Sequence, residues 1–366
     1  TKKLNKVFDD KPLSIIKEKI NFKLTNDQLK SIEQINLDLR SNKKMFRLLQ
    51  GDVGSGKTIV ALITSLNVIF SNFQVCFMAP TEILAKQHYN LTKKLFPKDI
   101  EVELLTGKTD YSLRKKIIKN LETNKIKMII GTHALFQEKI KYNSLGLVII
   151  DEQHKFGVKQ RKKLSDKGGK NCDVLVMSAT PIPRTMIMTI FGDMDTSIIK
   201  SKPKNRKEIK TYSKVDSKID EVVLFIKKQV EKKNQAFWVC PLIEESKKVD
   251  HQSSIKRYEN LKGIFKDRVG LLHGSLNKEE KDKILLNFLH QKIDVLVSTT
   301  VIEVGIDFPN ANVIIIENAN KFGLSQLHQL RGRVGRGVKD SFCILMFKGN
   351  LSENAKKRIK ILKSSN

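Results

Sequence analysis

The sequence predicts an α/β protein with two tandem domains, each a mostly parallel sheet flanked by helices. Short apolar, β-branched runs alternate with helical stretches up to about residue 200, and the same alternation then begins again. Near-continuous apolar strands that are separated by helices are typical of parallel sheets covered on both faces. At 366 residues the chain is long enough for two such domains.

The predicted strands are five apolar runs in each half of the chain. Those of the first half are residues 45–49, 75–78, 128–130, 147–150 and 174–177. Those of the second half are residues 236–239, 269–272, 295–297, 313–316 and 342–346. A helix is predicted at Lys57–Phe70, after the first of these strands.

A polar, basic segment that contains a proline, residues 200–207, separates the two series and predicts an interdomain linker. We therefore expect one domain at residues 21–202 and a second at 203–350. Residues 1–20 are expected to be the remnant of an N-terminal region or a linker, and 351–366 a truncated C-terminal helix. Two sheets joined by one hinge predict a cleft, where ligands commonly bind.

The charge balance favours a polyanionic partner. Lysine and arginine total 68 against 39 aspartate and glutamate, a formal net charge of +29. A positive field attracts nucleic acid, because neutralised phosphates release condensed counterions. Solvated lysine-rich faces would give the same excess, and charge does not distinguish DNA from RNA.

Cysteine usage and hydropathy predict a cytoplasmic protein. The four scattered cysteines form no C-x-x-C pair, which favours small buried core residues over metal or disulfide chemistry. No apolar run approaches the roughly 18–20 residues that span a bilayer. We expect no membrane association, and no feature of the sequence suggests a dimer seam, so a monomer is expected.

A phosphate-binding loop is the most specific motif. Residues 51–58 match G-x-x-x-x-G-K-[ST] between a predicted strand and a predicted helix. Backbone N–H groups of such a loop cradle nucleotide phosphates, and glycines let the chain wrap closely. The lysine would reach the β- and γ-phosphates, and the threonine hydroxyl would coordinate Mg²⁺. The residues assigned to this role are Gly51, Gly54, Gly56, Lys57 and Thr58.

An acidic pair follows a predicted strand about a hundred residues later. Carboxylates at the carboxyl end of a parallel strand point into the crevice where phosphates bind. Asp151 would hold Mg²⁺, and Glu152 would orient or deprotonate the attacking water. His154 either relays between nucleotide and domain interface or caps the turn. Ser178 and Thr180 close the next strand, where they could sense the nucleotide state.

The second half carries an arginine motif at residues 329–336. A guanidinium donates two hydrogen bonds at once and suits a dispersed phosphoryl charge. Arg333 and Arg336 are assigned to the γ-phosphate, Arg331 to nucleic acid and Gln329 to coupling. Because these arginines belong to the second domain, hydrolysis would require closure across the hinge.

These motifs and several others follow one another along the chain in a characteristic order. With this set of motifs the chain resembles superfamily-2 helicases, most closely the RecG branch-migration DNA helicases. The most specific pieces are the Asp-Glu-Gln-His-x-Phe-Gly-Val run at 151–158 and Pro-Leu-Ile-Glu-Glu-Ser at 241–246. The matching stretches are residues 22–28, 51–58, 79–85, 131–133, 151–158, 177–185, 239–246, 272–274, 299–307 and 329–336.

The resemblance implies two RecA-like domains, the first binding ATP with Mg²⁺ and the second completing the helicase. It implies translocation on, or unwinding of, branched or duplex DNA without regard to sequence, in replication-fork repair and recombination. A bacterial, nucleoid-associated protein is expected. Gln28 would read adenine, and Gly305 and Asp307 would line the nucleotide cleft. The implied nucleic-acid track is Pro80, Thr81, Thr132, His133, His273, Thr299 and Thr300.

RecG proteins also carry an N-terminal wedge domain and a C-terminal hairpin, and the sequence has a match for neither. Four alternatives to a RecG-type motor remain. The motor of a transcription-repair coupling factor shares much of the second-domain pattern, but the Asp-Glu-Gln-His run favours RecG. RNA helicases usually carry a different acidic motif. A nucleic-acid-binding module without turnover predicts decay at Lys57, Glu152 or Arg333, and all three are intact. The basic excess argues against an ATPase that remodels proteins.

Overall fold

The computed structural model describes residues 3–152, 169–179, 194–201, 208–241, 247–299, 306–335, 339–349, 351 and 353–364. The chain forms two compact units, an N-terminal unit at Thr1–Lys204 and a C-terminal unit at Asn205–Asn366. The division falls inside the segment 200–207 that was predicted to be the linker.

The N-terminal unit is built on a parallel sheet of seven described strands in the order β3-β4-β2-β5-β6-β1-β7. The strands are β1 (Phe46–Gly51), β2 (Gln74–Met78), β3 (Val102–Leu105), β4 (Met128–Gly131), β5 (Leu145–Ile150), β6 (Asp173–Ser178) and β7 (Asp195–Ile199). The helices are α1 (Lys11–Lys19), α2 (Asn26–Arg40), α3 (Lys57–Phe70), α4 (Glu82–Leu95) and α5 (Tyr111–Glu122).

Helix α3 is the central helix of this unit, and it has the predicted bounds. Residues 59–69 are all buried, because the helix is apolar on every side and packs against α1, α2 and the sheet. The buried hydroxyls of Thr64 and Ser65 donate to backbone carbonyls one turn earlier, so neither is left without an acceptor. The helix ends before Asn72, which takes the left-handed conformation at φ 62°.

The start of the chain packs against this unit. Lys3 and Lys6 donate to the buried Asp173 carboxylate, at 3.0 Å to Oδ1 and 2.6 Å to Oδ2. Burial lowers the pKa of Lys6, and the Asp173 carboxylate opposes that effect. The contact ties the described part of residues 1–20 to the amino end of β6.

The C-terminal unit has a parallel sheet of six described strands in the order β10-β11-β9-β12-β13-β8. The strands are β8 (Ile209–Val215), β9 (Gln235–Val239), β10 (Val269–Leu272), β11 (Val295–Ser298), β12 (Ala311–Ile316) and β13 (Ser341–Phe347). The helices are α6 (Ile219–Glu231), α7 (Lys247–Phe265), α8 (Lys278–Leu289), α9 (Leu324–Arg331) and α10 (Glu353–Ser364).

The predicted fold class is confirmed, with all ten predicted strands in place. The apolar pattern did not predict β3, β7 and β8, and each of these strands lies at a sheet edge. Edge strands need not be continuously apolar, and β8 alternates half-buried and exposed positions along most of its length.

The four cysteines are buried in the core, as predicted. Burial raises the pKa of Cys172 and of Cys343 to about 12. Within the described part of the chain, no helix combines the length and the apolar character that a membrane span requires.

Candidate nucleotide-binding site

The phosphate loop connects β1 to α3, as the sequence predicted. Gly54 and Gly56 take the left-handed conformation at φ 81° and 86°, which side chains other than glycine rarely adopt. A Cβ on Gly56 would lie 2.3 Å from Nε2 of Gln28, and one on Gly51 would lie 2.9 Å from the carbonyl oxygen of Ile199. The glycines are therefore needed for both the turn and the close packing of the loop.

The groups around the loop fit a nucleotide phosphate. Helix α3 begins at Lys57, so the N–H groups of its first turn face the loop, and Thr58 lies in that turn. The buried Lys57 ammonium donates to the carbonyl oxygens of Gly51 at 2.5 Å and Asp52 at 3.1 Å. Among the described residues, Oγ of the buried Ser55 has no hydrogen-bond partner. The loop therefore combines a positive charge with a hydroxyl that can still form hydrogen bonds. A Cβ at Gly51 or Gly56 would fill the space that the loop encloses.

Gln28 joins α2 to this loop. Its Oε1 accepts from the backbone N–H of Thr25 at 2.8 Å, which completes a capping box at the start of α2. Its Nε2 donates to the carbonyl oxygen of Ser55 at 2.8 Å, and the side chain is fully buried. The assignment of Gln28 to adenine stays a prediction.

The acidic pair lies directly after β5, and both carboxylates are buried. Glu152 has a left-handed backbone at φ 50°, an uncommon conformation for glutamate. That turn lets its N–H donate to Oδ1 of Asp151 at 3.0 Å. The other carboxylate oxygen, Oδ2, lies 2.9 Å from Nε2 of His88 on α4.

The sequence motifs did not predict a role for His88. The available signal was its place on the apolar stripe of α4, four residues after buried Leu84 and four before buried Thr92. A histidine at such a position needs a polar partner, and sequence alone does not say which.

Sheet order brings the phosphate loop and the acidic pair to one edge. Strand β6 lies between β1 and β5, and all three are parallel, so their carboxyl ends meet on the same side. Gln50 in β1 is in register with the buried Ser178 at the end of β6. The structure therefore groups Ser178 with the loop and with Asp151.

The predicted nucleic-acid residues of this unit also follow carboxyl ends. Pro80 and Thr81 come after β2, and Oγ1 of Thr81 accepts from the N–H of Leu84 at 3.3 Å to cap α4. Thr132 and His133 come after β4; Thr132 is buried and His133 is exposed. Their assignment to nucleic acid stays a prediction.

In the C-terminal unit the predicted residues have different exposures. Asp307 and Gln329 are exposed, His273 is half-buried, and Thr299 and Arg333 are buried.

Arg331 has a packing contact that the sequence did not predict. Its Nη1 donates to the carbonyl oxygen of Leu362 in α10 at 2.7 Å, and its side chain is buried. The guanidinium therefore fastens α10 to the end of α9. Its role in binding nucleic acid stays a prediction. Five predicted site residues lie outside the described residues: His154, Thr180, Thr300, Gly305 and Arg336.

Comparison with known proteins gives the family. The DEAD/DEAH box helicase family matches residues 25–189, and the helicase conserved C-terminal domain matches residues 215–338. The ATP-dependent DNA helicase RecG of Thermotoga maritima is 51% identical over 342 residues, covering 93% of this chain and 44% of that protein. The Bacillus subtilis RecG is 46% identical over 369 residues, covering 100% of this chain and 54% of that protein. The chain belongs to the RecG family.

A solved structure of RecG bound to a three-way DNA junction agrees with this assignment. It has a TM-score of 0.87 and 44% identity, covering 100% of this chain and 48% of that chain. The chain thus spans about half the length of the relatives it matches. The Mycobacterium smegmatis helicase Lhr bound to single-stranded DNA and AMP-PNP, at 18% identity and a TM-score of 0.66, shares the fold.

Proposed function

We propose that this chain is the ATP-driven motor of a DNA translocase and helicase that acts on branched or duplex DNA in replication-fork repair and recombination. The observation that carries the proposal is the 44% identity, over the whole chain, to a RecG structure bound to a three-way DNA junction. The phosphate loop and the neighbouring acidic pair support ATP as the nucleotide that is hydrolysed.

The N-terminal unit would bind ATP with Mg²⁺ through the residues at its carboxyl edge. Backbone N–H groups of the loop and the Lys57 ammonium would hold the phosphates. Thr58 and Asp151 would hold Mg²⁺, which when bound neutralises charge on the phosphoryl oxygens. Glu152 would orient the attacking water and take its proton.

The remaining roles rest on the family motifs. Arg333 and Arg336 would donate to the γ-phosphate, and Gln28 would recognise adenine. Gly305 and Asp307 would also serve the nucleotide. His154, Ser178, Thr180 and Gln329 would couple nucleotide state to movement.

DNA would be bound through its backbone, without sequence recognition. Hydroxyls, imidazoles and backbone amides bind phosphate irrespective of the base, and the net charge of +29 supports a polyanionic partner. The residues proposed for this contact are Pro80, Thr81, Thr132, His133, His273, Thr299, Thr300 and Arg331. The bacterial relatives support a bacterial protein, which we propose to be a cytoplasmic, nucleoid-associated monomer.

The experiment is steady-state ATP turnover with no nucleic acid, single-stranded DNA, duplex DNA, a three-way DNA junction and RNA. We expect the junction and the duplex to stimulate turnover most. Stimulation by RNA alone would identify an RNA helicase and contradict the proposal. Turnover that no nucleic acid changes would contradict a nucleic-acid motor.

A further inference from the structure

His88 contacts Asp151, one of the two residues proposed to hold Mg²⁺. Asp151 follows β5, and His88 projects from α4, the helix after the neighbouring strand β2. Nε2 of His88 and Oδ2 of Asp151 are 2.9 Å apart, and their side chains are 7% and 8% exposed. An ionised carboxylate only accepts hydrogen bonds, so Nε2 carries the hydrogen when Asp151 is charged.

The imidazole is held in one orientation by its surroundings. Its ring stacks on Phe77 in β2, with centroids 4.6 Å apart and 28° between the planes. Its backbone carbonyl accepts from Oγ1 of Thr92 at 2.7 Å. Helix α4 itself begins at the Thr81 cap. The donor therefore comes from an ordered helix rather than from a mobile loop.

The Asp151 carboxylate has a donor on each oxygen. Oδ1 accepts the N–H of Glu152 at 3.0 Å, and Oδ2 faces His88. A carboxylate has about four lone-pair sites, so two donors fix its plane and leave acceptor capacity for a cation or for the water bound to it.

We propose that His88 is the positioning residue of the Mg²⁺·ATP site: its Nε2–H holds Asp151 in the orientation that the metal requires. The inference rests on the proposed function, because it assumes that Asp151 serves Mg²⁺. Hydrogen-bond partners behind metal-ligating groups orient the ligand, and their loss typically costs about 10- to 100-fold in metal affinity or activity.

The rival explanation is that His88 only satisfies a buried carboxylate. In that case its replacement lowers the stability of the unit without changing how strongly nucleotide binding depends on Mg²⁺. The two explanations are therefore separated by a metal titration and not by loss of activity.

A matched pair of variants provides the test. His88→Gln keeps an N–H donor at the end of a side chain of similar reach, and His88→Met has similar length and no donor. A fluorescent ATP analogue is titrated with MgCl₂ in each variant, and thermal unfolding reports whether each is folded. We expect the Mg²⁺ concentration for half-maximal binding to rise about 10- to 100-fold in His88→Met, and His88→Gln to stay close to the wild type.

An unchanged Mg²⁺ dependence in folded His88→Met would overturn the inference, as would an equal shift in both variants. Asp151→Asn provides a second route. Adding His88→Met to Asp151→Asn should cause no further change in the Mg²⁺ dependence of binding, since the two residues act through one contact. Additive effects of the two substitutions would contradict the inference.

The wild-type titration separates this inference from the proposed function. A wild-type chain that binds the analogue equally well with and without Mg²⁺ contradicts the proposed nucleotide chemistry itself. A wild type that depends on Mg²⁺ and is matched by His88→Met leaves the proposed function standing and removes only the role of His88.

Discussion

The two sheets carry an acidic residue at the same position with different neighbours. Asp151 follows β5, which is the fourth strand of its sheet counted from β3. Glu317 follows β12, which is the fourth strand of its sheet counted from β10. In both cases the backbone N–H donates at 2.9 Å to the end of the adjacent strand, Asp151 to Met78 and Glu317 to Val239. The two acids are topologically equivalent.

Their side-chain partners differ in chemistry. Asp151 is held by an imidazole and a backbone N–H. Glu317 accepts from Nε1 of Trp238 at 2.6 Å and from Nε of Arg257, whose guanidinium lies 5.0 Å from the indole centroid. Arg257 lies on α7, the helix after β9, just as His88 lies on the helix after β2. The guanidinium compensates the charge of Glu317, so this acid serves packing.

The connections after β1 and β8 also occupy equivalent positions and also differ in their residues. Both are the sixth strand of their sheet, and each leads into a helix. After β1 the chain forms the glycine-rich loop. After β8 it passes through Asp216–Lys218, which has no glycine, into a helix whose first turn carries Asp220 and Glu221. Acidic residues at a helix N-terminus disfavour phosphate there. Equivalent positions therefore do not give equivalent sites, because the neighbouring side chains decide.

The largest expected effect is a loss of ATP turnover on substitution in the connection after β1, with no loss on substitution in the connection after β8. Lys57→Ala should reduce ATP turnover to background, because it removes the ammonium next to the phosphates. Lys218→Ala, in the equivalent connection of the C-terminal unit, should leave steady-state turnover unchanged. Loss of turnover in Lys218→Ala would show that the comparison of the two connections is wrong.

Arg333→Ala should lower turnover by about 10³-fold or more, since an arginine that stabilises phosphoryl charge contributes that much in related chemistry. Equilibrium binding of ATP should be retained. Normal steady-state turnover in Arg333→Ala would remove Arg333 from this role and leave Arg336 as the only arginine assigned to it.

Glu152→Gln should lower turnover by about 10²- to 10⁴-fold, the usual contribution of a general base. Binding of ATP and of DNA should persist, since the amide fills the same volume. These are measured by single-turnover hydrolysis and by equilibrium titration, and unimpaired hydrolysis would remove Glu152 from its proposed role.

The smallest effect is expected at the other acid. Glu317→Gln leaves Arg257 without a charged partner, and since both side chains are partly exposed the free energy of unfolding should fall by only about 1–2 kcal/mol. Turnover per folded molecule should not change. Denaturant unfolding and turnover of the same preparation would measure both quantities, and a loss of turnover without a loss of stability would contradict a packing role.

The sequence alone predicted those features whose structure is determined by the residues of one continuous segment. The phosphate loop needs its glycines for local backbone conformation, and α3 is apolar on nearly every side. The place of the loop between a strand and a helix and the bounds of α3 were therefore predicted correctly. Strands β3, β7 and β8 were missed because edge positions relax the apolar pattern.

Contacts between distant segments were out of reach of the sequence. His88 and Asp151 are 63 residues apart, and Arg331 and Leu362 are 31 apart. Each pair depends on which helix packs beside which strand, and residue type does not specify that. The same holds for Arg257, which is ordinary in sequence and neutralises Glu317 only in the folded unit.

The most direct measurement is Mg²⁺-dependent binding of a fluorescent ATP analogue to Asp151→Asn and Glu317→Gln, side by side with the wild type. We predict that Asp151→Asn loses most of the gain in affinity that Mg²⁺ provides, while Glu317→Gln keeps it. Equal losses in the two variants, or a loss in Glu317→Gln alone, would contradict the assignment of the metal site to the acid after β5.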